Sequence, residues 1–320
     1  MTAPSLSRDL AIAVVVIAVL LALPYLTPSK ALLDFGIRCA ATAMFATSLN
    51  LLVGYTGLVS FGHGMFYGLG AYAFSLLMQR TSMSLPLAFL ATVAITALTA
   101  AVVGAVCIRL KTIYFAFVTL AMQMLLHSVI VSWSDLTGGD QGLMGGIPRR
   151  VVGPVDFGDH GTLYAAAACV LAVLALLAMR HIVSTSFGAS LRMIRDNEPR
   201  AAFLGIGIWR VKLSVFVLAA VFAALGGMTM SLYLSGAYPA QVNWPVSGDA
   251  IFAIMLGGIG NFMGPLVGTV VLQLLNDVVT RQTEYHGLVL GGIILLFAMG
   301  LRRGVMDFYD VWVRDRKRPA

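Results

Sequence analysis

Charge is scarce in this chain, since Asp, Glu, Lys and Arg together make up only 11% of its 320 residues. Soluble domains carry about 25%. Hydrophobic residues reach 59%, and 33 residues are glycine. A water-soluble globule cannot bury so many apolar side chains. The composition therefore excludes a soluble domain and predicts an all-α integral membrane protein.

Sequence motifs for nucleotide binding and catalysis are also lacking. The chain has no Gly-Lys pair, which excludes a G-x-x-x-x-G-K-[ST] loop for nucleotide phosphates, and it has no HExxH or G-x-S-x-G motif. Its three cysteines, Cys39, Cys107 and Cys169, lie in apolar runs without CxxC spacing, so neither a disulfide nor a metal site is indicated. The sequence predicts no enzyme activity and no cofactor in this chain.

Acidic residues are missing from the centres of the apolar runs. Asp34, Asp249 and Asp277 lie at or near the ends of these runs. Proton- or sodium-coupled carriers usually need ionisable groups deep in the membrane. The pattern favours a conduit that is driven by another component.

Apolar runs long enough to cross about 30 Å of hydrocarbon as helix recur along the chain. We predict ten such spans, with eight or nine as alternatives, because the spans after Gly64 and Asp249 are short and broken by glycine. The first run is interpreted as a retained helix, since "LALPYLTPSK" offers no small-x-small cleavage site. The predicted spans are 10–26, 31–53, 65–79, 84–108, 113–133, 161–183, 211–234, 250–259, 265–279 and 288–301.

The distribution of basic residues predicts the orientation. With both termini in the cytoplasm, 15 of the 21 Lys and Arg residues fall on the inside, as basic residues near helix ends usually do. In this topology residues 134–160 form a periplasmic loop, 184–210 a cytoplasmic loop and 302–320 a basic cytoplasmic tail that suits anionic lipid. The net charge of +7 reflects topology, and no nucleic-acid partner is implied.

The most polar internal stretch is "SLRMIRDNEPRAAFLGIGIWRVK", residues 190–212. Pro199 suits the first turn of a helix, and Asp196 or Asn197 can cap it. We predict a short cytoplasmic helix that begins near Glu198 or Pro199. Small residues after this point leave room for a partner surface to approach.

A glutamate followed by small residues and a glycine in such a loop is similar to the coupling loop of ABC importer permeases. Three further stretches resemble branched-chain amino acid permeases of the LivM type within the LivH/LivM family, in the family's order. They are "GYTGLVSFGHGMFYGLGAYAFSLL" (54–77), "RLKTIYFAFVTLA" (109–121) with "LTGGDQGLMGGIP" (136–148), and "MLGGIGNFMGPLVGTVVLQLL" (255–275). The chain departs from the family at Thr112, where glycine is frequent, and in its paired alanines, which come two residues after Pro199.

This resemblance implies a single permease domain over residues 1–320 in the bacterial inner membrane. It implies as partners a second homologous permease, two ABC ATPase subunits that bind ATP and Mg, and a periplasmic substrate-binding protein. The implied ATPase-coupling residues are Arg195, Asp196, Asn197, Glu198, Pro199, Arg200, Ala201, Ala202 and Gly205. The implied residues of a translocation path or gate are Ser60, Gly62, His63, Phe66, Gly257, Gly258 and Asn261.

Simpler structural roles compete with these assignments. The glycines at 64 and 68, and at 260, 264 and 268, recur every four residues and suit close helix packing. His63 is expected to bond a freed carbonyl at a break between spans, Asp34 to pair with Arg38 four residues on, and Gln123 with His127 to join helix to helix. Permeases of this architecture for urea, amides or aromatic acids, and a stand-alone channel or secondary carrier, remain alternatives.

Overall fold

The computed structural model of the chain describes residues 30–110, 112–144, 147, 161–282, 285–300 and 304. In these ranges the backbone is helical apart from turns and one isolated bridge between Leu143 and Ala237. The helices are α1 (Lys30–Thr56), α2 (Gly64–Arg80), α3 (Leu85–Cys107), α4 (Thr112–Ser132), α5 (Ser134–Thr137), α6 (Gly161–Ser184), α7 (Ser186–Asp196), α8 (Glu198–Phe203), α9 (Ile208–Leu234), α10 (Trp244–Gly257), α11 (Gly264–Gln282) and α12 (His286–Gly300).

Five helices of the described residues are long and apolar enough to cross a membrane, namely those containing Lys30–Thr56, Leu85–Cys107, Ile113–Ser132, Leu163–Ser184 and Ile208–Leu234. The chain is therefore a multi-pass, all-helical membrane protein, as its composition predicted. The predicted span 10–26 and the tail 302–320, apart from Gly304, lie outside the described residues. The count of ten spans and the orientation stay predictions.

The centre of the bundle is formed by α1 and α9, and α2 and α3 pack against α9. The most apolar stretch of α1 is 78% buried inside the protein, whereas that of α3 is only 22% buried. The outer face of α3 carries Leu90, Leu98 and Val102. Such a surface is stable against lipid tails and unfavourable in water.

Glycines on α2 and α9 bring the helix backbones into direct contact. A Cβ on Gly70 of α2 would come 2.6 Å from the Ala224 backbone, and a Cβ on Gly227 of α9 would overlap the Tyr67 carbonyl. Close backbone approach of this kind is how small residues stabilise membrane helix pairs. The interpretation of this span as broken by glycine is wrong, because α2 is one continuous helix from Gly64 to Arg80.

The hairpin of α10 and α11 is closed in the same way. A Cβ on Gly264 would overlap the Gly258 carbonyl, and one on Gly268 would overlap the Ala253 carbonyl. Gly260 lies in the turn between the helices, so the predicted stripe of glycines at 260, 264 and 268 is wrong for its first member. Helix α10 begins at Trp244, which places Asp249 inside a helix and not before a span at residue 250.

Candidate functional site

The segment after α6 folds into two short helices, α7 and α8, that lie against the ends of longer helices. Helix α7 is amphipathic, and its buried side consists of Gly188, Leu191 and Ile194. Leu191 is fully buried and belongs to the main core of the bundle. Helix α7 is thereby fixed to the core by one apolar face, as expected for a helix with a single hydrophobic stripe.

Helix α8 begins at Glu198, with Pro199 as its second residue. The Asn197 side chain accepts a hydrogen bond from the Arg200 amide at 2.9 Å, and the Asn197 carbonyl accepts one from the Ala201 amide. This is an N-cap, which satisfies an amide that has no partner within the helix. The predicted helix start is confirmed.

Helix α8 ends in a Schellman motif. The Ile206 amide donates to the Ala201 carbonyl at 3.2 Å, and the Gly205 amide donates to the Ala202 carbonyl at 3.0 Å. Gly205 has a φ of 81°, in the left-handed region that glycine adopts without strain. Gly205 thus stops the helix through its backbone conformation, and no atom lies within 4 Å of where its Cβ would stand.

Two arginines of α7 bind the carboxyl ends of long helices. Arg195 donates from Nη1 to the Gly54 carbonyl near the end of α1. Arg192 donates from Nη1 to the Val183 carbonyl near the end of α6, at 3.1 Å. The last carbonyls of a helix lack partners and carry partial negative charge, so arginine is well suited to cap them. Arg192 was not among the predicted site residues.

An ion pair joins α8 to α9. Lys212 Nζ lies 2.7 Å from Glu198 Oε2, with the lysine largely buried and the glutamate half exposed. Asp196 is more exposed and lies 3.2 Å from the Arg195 guanidinium. The pairing of Glu198 with Lys212 could not be found from sequence, because no regular spacing relates residues on different helices.

The remaining surface of α8 divides into a buried and an exposed side. Ala201 is 1% exposed and faces the protein, whereas Ala202, Pro199 and Arg200 are exposed. Phe203 is 93% exposed at the end of the helix, and Leu204 follows it with 67%. Of the paired alanines, only Ala202 can therefore meet a partner surface, together with Phe203.

His63 is wholly buried at the start of α2. Its Nε2 lies 3.1 Å from Ser48 Oγ, and the Ser48 hydroxyl donates to the Phe45 carbonyl at 2.7 Å. Since that hydroxyl proton is used, His63 Nε2–H is the donor to Ser48. The imidazole stacks on Phe45 at 5.7 Å between ring centroids and meets the edge of Phe66. The partner of Nε2 is therefore a hydroxyl and not the freed carbonyl that was predicted, while the backbone of Ala219, inside α9, is also close to the imidazole.

The other predicted path residues near His63 are also buried. The Ser60 hydroxyl has no hydrogen-bond partner among the described residues. A Cβ on Gly62 would overlap the Thr119 carbonyl of α4. Phe66 meets the edge of the Phe216 ring at 5.4 Å between centroids.

Gly257, Gly258 and Asn261 form the turn between α10 and α11. Gly258 has a φ of 109°, and Asn261 Oδ1 accepts a hydrogen bond from the Met263 amide at 3.0 Å.

A polar network that includes Gln123 links three helices at the start of α2. Ser247 Oγ of α10 accepts from the Gly64 amide and donates to Gln123 Oε1, and Gln123 Nε2 donates to the Val242 carbonyl. All three distances are 2.8 Å, and both side chains are fully buried. The prediction that Gln123 joins helix to helix is confirmed, whereas Ser247 was missed.

A cavity of about 530 Å³ lies between α1, α2, α9, α10, α11 and α12. None of the predicted path residues lines it. Beside this wall, one turn from Thr42 on α1 and next to Asn276 on α11, Arg38 binds Asp277 with two hydrogen bonds, of 3.0 and 2.8 Å. The predicted local pair of Asp34 with Arg38 is therefore wrong, because the arginine reaches a carboxylate on another helix.

Residues 31–298 match the family of branched-chain amino acid transport system permease components. The chain belongs to this family. The permease is 25% identical to the high-affinity branched-chain amino acid permease LivM of Salmonella typhimurium, over 92% of its own length and 73% of that protein. It is 23% identical to LivH of Escherichia coli, over 86% of its own length and 94% of that protein.

A sugar permease shares a shorter part of the chain. The ribose import permease RbsC of Bacillus subtilis is 33% identical over 42% of the chain and 43% of its own length. No solved structure matches the permease significantly. All of the residues that form the α7–α8 segment and the cavity wall lie within the part of the permease that matches the family.

Proposed function

We propose that this permease is a membrane subunit of an ATP-driven importer for branched-chain or related amino acids in the bacterial inner membrane. Its partners are a second homologous permease, two cytoplasmic ATPase subunits that bind ATP and Mg, and a periplasmic substrate-binding protein. The chain spans the membrane about ten times with both ends in the cytoplasm, so residues 184–210 face the ATPases and residues 134–160 face the periplasm.

The observation that carries this proposal is the match to LivM over 92% of the chain, together with a match to LivH over 86%. These two proteins are permeases for branched-chain amino acids by name. The ribose permease covers 42% of the chain, which supports amino acids over sugars as the substrate. The absence of a phosphate-binding loop in the sequence agrees with an ATPase on separate chains.

The contacts of α7 and α8 suggest how ATPase closure would reach the bundle. A push on the exposed surface of Ala202 and Phe203 would pass to α9 through the Glu198–Lys212 ion pair. The same push would reach α1 through the hydrogen bond from Arg195 to the Gly54 carbonyl, and α6 through the hydrogen bond from Arg192 to the Val183 carbonyl. Helices joined by direct backbone contacts would then move together between two packings.

Reconstitution tests the function. Proteoliposomes with the permease, its second permease, the ATPases and the binding protein are expected to take up leucine when ATP is supplied inside. The permease alone is expected to give no uptake. Leucine uptake by the permease alone would contradict the importer assignment and support a carrier or channel.

The docking surface is tested by Phe203→Ser in the same assembly. We expect this change to lower leucine-stimulated ATP hydrolysis and ATPase co-purification about tenfold, because an apolar anchor in an interface contributes more than 1 kcal/mol. Met144→Ser is the matched control, since Met144 is also exposed but lies in the segment 134–160. Equal ATPase recruitment by both variants would exclude Phe203 from the ATPase contact.

A further inference from the structure

The cavity of about 530 Å³ has polar side chains with hydrogen-bonding groups that no described residue uses. Gln241 is 8% exposed, and its Oε1 accepts a hydrogen bond from the Tyr238 amide at 3.2 Å, while its Nε2 has no partner among the described residues. Thr269 is 3% exposed, and its hydroxyl likewise has no partner in the described part of the chain. A buried donor without an acceptor is costly, so these two groups suit a ligand that accepts hydrogen bonds.

Asp249 supplies the one carboxyl group on the described cavity wall. Its side chain is accessible from the cavity and makes no hydrogen bond or ion pair with any described residue. The other carboxylate close by, Asp277, is held by Arg38. Ionisable groups in membrane helices that lack an internal partner usually mark a transport pathway or a binding site.

The packing of α10 on α11 brings Asp249 and Thr269 to the wall of the same cavity. Asp249 and Ala253 are four residues apart on α10 and so lie on one face of that helix. The Ala253 carbonyl lies so close to Gly268, the neighbour of Thr269, that a Cβ on Gly268 would overlap it. A carboxyl group of α10 and a hydroxyl donor of α11 therefore face one cavity.

We infer that this cavity binds the zwitterion of an aliphatic α-amino acid within the permease itself. In this complex Asp249 accepts hydrogen bonds from the ammonium group of the ligand. Gln241 Nε2 and Thr269 Oγ donate hydrogen bonds to the carboxylate of the ligand. The aliphatic side chain of the ligand packs against Phe45, Leu272 and Leu290, which also line the cavity. The cavity volume lies within the range of about 300–1,000 Å³ that is typical of small-molecule sites.

The charges of the wall favour a zwitterion over ligands with one charged group. A fatty acid would bring a carboxylate towards Asp249 without a compensating cation, and an alkylamine would leave the Gln241 and Thr269 donors unpaired. Each of these states is unfavourable, because it leaves a charge or a buried donor without a partner on the ligand. The substrate class rests on the proposed function, whereas the recognition of an ammonium and a carboxylate rests on the cavity wall.

The test uses the full-length permease in phosphatidylcholine nanodiscs, with L-leucine binding measured by saturation-transfer NMR. We expect saturable binding of leucine, and much weaker binding of 4-methylpentanoate or 3-methylbutylamine. Asp249→Asn should raise the Kd for leucine about 10- to 100-fold, the loss expected for a charge-assisted hydrogen bond. Asp140→Asn, which changes an exposed carboxylate in the segment 134–160, should bind leucine as the wild type does.

Equal leucine binding by the wild type and Asp249→Asn would overturn the inference, as would an absence of saturable binding. If leucine binding is lost when the nanodiscs contain phosphatidylethanolamine, the occupant is a lipid headgroup and the inference also fails. Leucine uptake by the complete assembly reports separately on the proposed function. Leucine binding that depends on Asp249, without any leucine uptake by the assembly, would refute the proposed function and retain the binding site. Normal leucine uptake and unchanged leucine binding by Asp249→Asn would retain the proposed function and refute the binding site.

Discussion

Removing the Ser247 hydroxyl tests whether the network at the start of α2 holds the bundle together. In Ser247→Ala, the Gly64 amide loses its acceptor and Gln123 Oε1 loses its donor. Both groups lie in the buried core between α2, α4 and α10, where water does not replace the hydroxyl.

The size of the effect follows from two opposing considerations. An unsatisfied buried polar group costs about 1–3 kcal/mol, and two such groups arise. Hydrogen bonds between membrane helices contribute less, about 0.6 kcal/mol on average and up to about 1.7, because the separated helices find other partners. We therefore expect Ser247→Ala to lower the free energy of unfolding by about 1–3 kcal/mol.

Ser75→Ala is the matched control. Ser75 is as fully buried as Ser247, but its hydroxyl donates only to the Ala71 carbonyl of its own helix, at 2.7 Å. That carbonyl keeps its helical hydrogen bond when the hydroxyl is removed, so the expected loss is about 0.5 kcal/mol or less. Unfolding in mixed detergent micelles would compare the variants, and equal losses for both serines would refute the reasoning.

Four further substitutions test helix packing and the ion pair between Arg38 and Asp277. Gly62→Ala should lower stability by about 1–3 kcal/mol through overpacking against a backbone carbonyl. Gly248→Ala, with no atom within 4 Å of its Cβ position, should be neutral or slightly stabilising in the same micelle unfolding assay, because alanine favours a helix interior over glycine. Arg38→Met and Asp277→Asn should each cost about 1–2 kcal/mol, since their side chains are 30% and 24% exposed. Their double variant should lose less than the sum, and strict additivity would show that the pair is not coupled.

Local signals in the sequence were sufficient for the helices and for the start of α8. The described spans lie close to the predicted ones because apolar runs and helix caps act over a few neighbouring residues. Asn197 and Pro199 identified the start of α8 without tertiary information. The glycine-rich span of α2 was misinterpreted, because glycine is common both at helix breaks and at close helix contacts.

The candidate site was predicted less completely than the helices. The resemblance to the family located the α7–α8 segment, but only the structure shows that Ala201 is buried and Ala202 exposed. Arg192 was missed because its partner, the Val183 carbonyl, lies in α6 on the other side of a turn. Lys212 was missed because its partner, Glu198, lies on another helix. The cavity around Asp249 was missed because its wall is assembled from six helices.

Composition and motif order alone identify the membrane as the solvent, the helical class and the family, since neither depends on how the helices pack. Tertiary structure decided which polar groups meet. Arg38 binds Asp277, 239 positions away, and Ser247 binds Gln123, 124 positions away. The packing of whole helices fixes their relative positions and leaves each polar side chain only the partners within its reach. At the Ser247–Gln123 pair, Gly62 and Gly64 allow this close packing, since a Cβ on either would overlap α4 or the pair itself.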